Sequence, residues 1–171
     1  MSKVFIDGRT LTYEDVVAVA RGYKSVDIAS EVRDQVERTR RVLEDILAQD
    51  RVIYGVNTGF GHLACVRISG DELCKLQENL IMSHASGTGA PFPDEVVRAM
   101  ILLRANSLAK GLSGVRYELI ETLVALVNHD ICPIVPCQGS LGASGDLAPL
   151  AHRAARRGLP DTRARRRVDV D

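Results

Sequence analysis

Apolar positions along the chain recur mainly at helical spacing, broken by short stretches rich in Gly, Pro and Asp. Lys3 to Ile6 is a brief strand candidate that stops at Asp7-Gly8, a turn signal. Thr12, with Asp15 three residues on, predicts a capping box opening a helix to about Tyr23. Ser30 caps a longer amphipathic helix to about Gln49, with Val32, Val36, Leu43, Ile46 and Leu47 on one face and Arg and Glu on the other. Arg51 to Val56 reads as a short extended piece entering the Asn57-Thr-Gly-Phe-Gly61 loop. Ser69 and Glu72 form a second capping-box pattern, with a helix to about His84 carrying Leu73, Leu76, Leu80 and His84 on one stripe. Pro93-Asp94-Glu95 starts a helix to Gly111 that is apolar on several sides (Val96, Met100, Ile101, Leu103, Leu108) and is expected to be well buried. Ser113 to His129 predicts another, with Leu119, Ile120, Leu123, Leu126 and Val127 inside. The prolines of Ile131-Cys-Pro-Ile-Val-Pro136 exclude a helix and predict extended chain. A last helix is expected from Asp146. The fold class is therefore mainly α with a small β component.

Composition narrows the setting. The 171 residues are 46% hydrophobic with zero formal net charge, enough for one globular domain with a substantial core and without an electrostatic reason to bind nucleic acid or membrane. No apolar run reaches membrane-spanning length, and Met-Ser-Lys-Val-Phe-Ile-Asp-Gly lacks a signal-peptide core, so a cytoplasmic protein is expected. Cys65, Cys74, Cys132 and Cys137 lack Cys-x-x-Cys spacing, and His62, His129 and His152 lack ligand spacing. No metal site and no disulfide framework are expected. Gly87-Thr-Gly89 lacks the third glycine of a dinucleotide fingerprint, a Walker Gly-Lys-Ser/Thr is missing, and Gly145 directly after Ser144 rules against a hydrolase elbow.

The chemistry concentrates in Gly139-Ser-Leu-Gly-Ala-Ser-Gly-Asp146. Ala-Ser-Gly can cyclise into an electrophile. The amide nitrogen of Gly145 attacks the carbonyl carbon of Ala143, and two waters leave, one from the closing ring and one from the Ser144 side chain. The product is a five-membered imidazolone with an exocyclic methylidene. Gly145 lacks a Cβ and lets the backbone bend back far enough; Ser144 supplies the leaving hydroxyl; Ala143 is small enough not to block closure. The plain alternative is a flexible Gly/Ser turn before a helix. A helix N-terminus at Asp146 would favour developing negative charge by about 0.3–1 kcal/mol, and Asp146 could equally be a simple helix cap.

This segment, read on to His152, resembles the signature of the aromatic amino-acid ammonia-lyases, which carry a methylidene-imidazolone (MIO) group. Three other blocks are similar to the same family: Tyr54-Gly-Val-Asn-Thr-Gly-Phe-Gly61; Leu76-Gln-Glu-Asn-Leu80 leading into Ser83-His-Ala-Ser-Gly-Thr-Gly89; and Leu103-Arg-Ala-Asn106 with Lys110-Gly-Leu-Ser-Gly-Val-Arg116. The resemblance covers roughly residues 3–152. It implies an N-terminal MIO-bearing domain of the aromatic ammonia-lyase fold, lacking most of the long helical bundle, and a homotetramer for a full-length member. It also implies loss of ammonia from an L-amino acid. The MIO made by Ala143, Ser144 and Gly145 supplies the electrophile without an external cofactor, and Tyr54 is the candidate base, its phenolate stabilised by helix N-termini. His84 is expected to contact the substrate ring or help move a proton. Its place in the Ser-His-Ala-x-Gly block, with Ser83 before it, points to L-histidine as substrate and trans-urocanate as product. Tyrosine or phenylalanine ammonia-lyases, or aminomutases, stay open as the alternative, as does a non-catalytic remnant or interaction module. Asn106 and Arg116 are read as structural.

After His152 the pattern changes. Arg153 to Asp171 carries seven Arg and three Asp, a tail of +4 against −4 for the rest. The division expected is residues 1–152 as an incomplete lyase domain and 153–171 as an Arg-rich tail, disordered or read out of frame. A nucleic-acid-binding tail or a deliberately truncated domain are the competing origins. On this basis the isolated chain is expected to be inactive and prone to aggregate.

Overall fold

The computed structural model describes residues 3–49, 51–59, 68, 72–140 and 147–154. These fall into two units, residues 3–42 with 91–134 and residues 43–90 with 135–154. Helix dominates both, with two two-stranded sheets.

The first unit begins with β1 (Val4–Ile6), α1 (Tyr13–Ala20) and β2 (Val26–Ile28). The capping box forms as the sequence requires: the Asp15 amide donates to Thr12 Oγ1 at 3.2 Å, and the Thr12 amide donates to Asp15 Oδ2 at 3.3 Å. Hydrogen bonds from Thr12, chiefly from its hydroxyl, hold the Asp15 carboxyl below its ordinary value. The strands pair in parallel, Val4 opposite Val26 and Ile6 opposite Ile28, with α1 in the connection. Sequence pattern missed β2 because three residues carry no readable alternation. Tertiary contacts create it: β1 pairs one side, and the Asn128 side chain meets the Val26 backbone at 2.8 and 2.9 Å. From there α2 (Ser30–Ala48) buries Val32 and Val36, while Leu43, Ile46 and Leu47 are half-buried.

α4 (Asp94–Ala109) is the centre of this unit, packing on α1 and on α5 (Tyr117–Asn128). Val97, Ile101, Leu102, Ala105, Leu108 and Ala109 are buried, and Ile120, Val124 and Val127 face them from α5. Two expectations need correction. Leu103 and Leu119 are 50% and 44% exposed, because each helix buries a stripe narrower than its apolar content. α5 also starts at Tyr117 rather than Ser113, since Gly114 takes φ +63°, a left-handed value that no α-helix contains. Asn106 ties α4 to the turn after β1 by accepting the Gly8 amide at 2.9 Å.

Arg98, on α4, escaped sequence reading. It is 2% exposed. Its Nε and Nη2 donate to the Val19 carbonyl at 3.3 and 3.0 Å, and its Nη1 donates to the Val127 carbonyl and to Asp130 Oδ1, both at 2.9 Å. The guanidinium also lies over the Tyr23 ring, 4.4 Å from its centroid. One cation thus satisfies carbonyls at the ends of two helices, where the macrodipole is negative.

In the second unit α3 (Leu73–His84) packs on α6 (Leu147–Ala154), and β3 (Thr88–Pro91) pairs with β4 (Pro136–Gln138). α3 starts with Glu72 as its cap, later than the capping-box pattern placed it; Ser69 lies outside the described residues. Leu73, Leu76, Leu80 and His84 do share a stripe, but only half-buried, and no residue of α3 is fully buried. The strand β4 falls at the end of the extended chain predicted for Ile131–Pro136, and β3 was not foreseen.

Two measurements check this packing. Arg98→Ala leaves the carbonyls of Val19 and Val127 and the Asp130 carboxylate without their cation, and should cost roughly 3–5 kcal/mol in urea unfolding. Cys132 is buried, and burial, then the carboxylates of Asp94 and Asp130, pushes its thiol up to about 11. Alkylation near pH 8 should therefore modify the exposed Cys74 and Cys137 and spare Cys132, as read by peptide mass.

Candidate functional site

The loop bearing Tyr54 is built by its own polar side chains. Asn57 is 6% exposed and Thr58 fully buried, unusual for loop residues. Asn57 Oδ1 accepts the Ile53 amide at 2.7 Å and its Nδ2 donates to the Arg51 carbonyl at 2.9 Å. Thr58 Oγ1 accepts the Gly55 amide at 3.1 Å and donates to the Gly59 carbonyl at 2.9 Å. Gly55 sits at φ +74° inside this frame. The backbone on both sides of Tyr54 is thereby held, while the residue as a whole stays 63% exposed. A rigid loop presenting an accessible phenol is suited to proton transfer. Asn57 and Thr58 were seen in sequence only as part of a block; short polar residues flanked by glycines are the signal for such self-bonded loops.

His84 closes α3. Its Nδ1 lies 2.9 Å from the Leu80 carbonyl oxygen and 2.9 Å from Ser83 Oγ, and Ser83 Oγ lies 3.0 Å from the same carbonyl. A carbonyl only accepts, so the Nδ1 contact requires a proton on Nδ1. Ser83 then donates its hydroxyl proton to Leu80 and can accept from Nδ1. The neutral ring consequently keeps its lone pair on Nε2, which is a hydrogen-bond acceptor and a base. Ser83 and His84 thus meet at one carbonyl, that of Leu80.

Beyond His84 the chain passes through Gly87 into β3, and the Gly87 amide donates to His152 Nε2 at 2.9 Å. His152, which in sequence shows only that it lacks metal-ligand spacing, is on α6, whose Ala148 and Ala151 are buried. Ala143, Ser144, Gly145 and Asp146 lie outside the described residues. Tyr54 and His84 both belong to the second unit. In the first unit an open cavity of about 500 Å³ is lined by Lys3, Asp27, Tyr117, Glu121, Asn128 and His129, none of them a candidate from sequence. Lys3 and Asp27 neutralise each other there across 2.8 Å. Among the described residues no group of three or more His, Cys, Asp or Glu is placed to hold a metal, and no helix is long and apolar enough to cross a membrane.

The sequence profile of the family described as aromatic amino acid lyase matches residues 11–168, past the His152 at which the quoted blocks end. The chain belongs to this family. Histidine ammonia-lyase of Caldanaerobacter subterraneus subsp. tengcongensis is 51% identical over 152 residues, 89% of this chain and 30% of that protein. Among solved structures, tyrosine aminomutase from Streptomyces globisporus superposes with a TM-score of 0.85 at 40% identity, over 90% of this chain and 28% of the other. Histidine ammonia-lyase from Trypanosoma cruzi gives 0.78 at 34% identity, over 88% of this chain and 28% of that one. The chain thus spans about 30% of the length of the curated relatives it matches. The architecture expected from sequence, mainly α and equivalent to an N-terminal part of these lyases, agrees with the superpositions.

Removing the Asn57 side chain tests the loop. Asn57→Ala strands the Ile53 amide and the Arg51 carbonyl, and should cost about 1–3 kcal/mol. Hydrogen exchange at the Ile53 amide should accelerate accordingly.

Proposed function

We propose that this chain is the N-terminal part of a histidine ammonia-lyase, which converts L-histidine to trans-urocanate and ammonia. The observation that carries it is the 51% identity to a protein of that name across the Tyr54, His84 and Ala143-Ser144-Gly145 blocks. In the reaction a proton leaves Cβ, the amine leaves Cα as ammonia, and a carbon–carbon double bond remains between them.

MIO formed from Ala143, Ser144 and Gly145 would supply an electrophile for the substrate amine. The residue types fit that group, and so does the described flank. Gly139, at φ +132°, lies where a Cβ would come 2.8 Å from Gly87 Cα, so the backbone before the triplet is tightly seated. Tyr54 is the base for the Cβ proton, its phenol accessible and its loop pinned by Asn57 and Thr58. His84 Nε2 accepts a hydrogen bond from a ring N–H of the substrate. The lone pair there favours a side chain that ends in a donor and gives a plain phenyl ring nothing to bind. Asp146 directly precedes α6 in the chain. A full-length protein of this kind would act as a homotetramer, as the family resemblance implies.

A tyrosine-acting enzyme is the second possibility, favoured by the 0.85 superposition on tyrosine aminomutase, since a phenol is also a donor. Fold similarity separates the two poorly; the 51% identity to the Caldanaerobacter histidine ammonia-lyase, against 40% to the aminomutase, weighs for histidine.

Joining residues 1–152 to the remaining segment of the Caldanaerobacter protein gives the test. The chimera should release urocanate from L-histidine and leave L-tyrosine and L-phenylalanine unchanged, and its mass should be short by two waters. Turnover of tyrosine alone would transfer the proposal to the second possibility. His84→Leu in the chimera should lower histidine turnover by at least about ten-fold, equivalent to about 1.4 kcal/mol; unchanged turnover would remove His84 from its role.

A further inference from the structure

We propose that His152 is a positioning residue for this site: its neutral ring accepts the Gly87 amide and so holds the segment after His84 against the chain leaving β4. The assignment rests on the reading of His84 and Ala143-Ser144-Gly145 given above, since those are the groups whose flanks it joins. His84 stands shortly before Gly87 in the chain, and Ala143 shortly after Gly139.

Three observations converge. The hydrogen bond from the Gly87 amide to His152 Nε2, 2.9 Å, links segments 65 residues apart. An amide N–H can only donate, so Nε2 must be bare and the ring proton must sit on Nδ1. With its lone pair engaged, Nε2 is also unavailable to a metal. Space in this segment is exhausted as well: a Cβ on Gly87 would lie 2.9 Å from His152 Nε2 and 3.1 Å from the Gln138 carbonyl oxygen. A Cβ on Gly139 would lie 2.8 Å from Gly87 Cα. Gly87 is therefore packed closely against both an imidazole and the backbone at the end of β4, with no room for a methyl group at either contact. Finally, the ring projects from α6, a helix anchored by the buried Ala148 and Ala151 and packed on α3, which carries His84. A fixed helix, a directional bond and two close backbone approaches together set where the chain goes after His84. Of these, only the bond can be removed by changing a side chain without adding atoms.

The experiment uses the 171-residue chain, ¹⁵N-labelled, as wild type, His152→Gln and His152→Leu. Long-range ¹⁵N–¹H correlation spectra should show His152 Nε2 without a proton in the wild type. His152→Leu should speed exchange of the Gly87 amide at least ten-fold and displace the His84 ring resonances. His152→Gln, whose Oε1 can accept the same bond, should recover most of both effects, which loss of packing alone would not. A protonated Nε2 in the wild type, or a Leu variant with unchanged Gly87 exchange and His84 resonances, would overturn the proposal. The wild-type tautomer decides the matter if the Leu variant fails to fold. Neither readout needs turnover, so absence of urocanate from the chimera would count against the lyase function alone and leave the role of His152 standing.

Discussion

The first unit depends on one buried guanidinium. Arg98 lies in the second turn of α4 with its donors directed at the carbonyls of Val19 and Val127 and at Asp130. Burying a cation is costly unless every donor is met, and here backbone carbonyls at the ends of α1 and α5 supply most of the partners. The same arrangement explains two strained residues. Tyr23 and Asp130 are the non-glycine residues with left-handed φ among those described, each at +53°. Tyr23 turns its ring under the guanidinium and Asp130 presents its carboxylate to it. A strained backbone persists where its surroundings over-determine it, and Arg98 provides that constraint on both sides.

The second unit is held by different means. α3 has no fully buried residue, and Asn57, Thr58, Ser83, His84 and His152 fix its loops through side-chain to backbone hydrogen bonds. Such bonds define direction better than burial does, which suits segments that present a phenol and an imidazole. They also make the unit sensitive to single polar substitutions, where the first unit is sensitive to loss of apolar volume around α4.

The family is carried by architecture, the substrate by a few side chains. Superposition on a tyrosine aminomutase is as good as or better than superposition on a histidine ammonia-lyase, so the helices do not discriminate between imidazole and phenol. In the proposed reading, discrimination would fall to groups such as His84, whose Nδ1–H toward the Leu80 carbonyl leaves an acceptor at Nε2. That property follows from the last turn of α3, where the Leu80 carbonyl has a second lone pair for a side-chain donor.

Sequence alone settled what depends on local chemistry. The Thr12–Asp15 capping box, the Pro93 start of α4 and the mainly helical class were legible because spacing and capping are properties of neighbours in the chain. So were the family blocks around Tyr54, His84 and Ala143-Ser144-Gly145. Tertiary structure decided what depends on residues far apart. β2 is a strand because β1 and Asn128 satisfy its backbone, and Leu103 and Leu119 are exposed because α4 and α5 meet along a narrower face than their composition offers. An Arg on an apolar helix reads as a solvated charge until two distant carbonyls are found beside it, and a histidine without ligand spacing reads as surface until a glycine amide 65 residues away reaches it. Hydrogen-bond partners distant in sequence leave no periodic trace, and for that reason Arg98 and His152 became visible only in the folded chain.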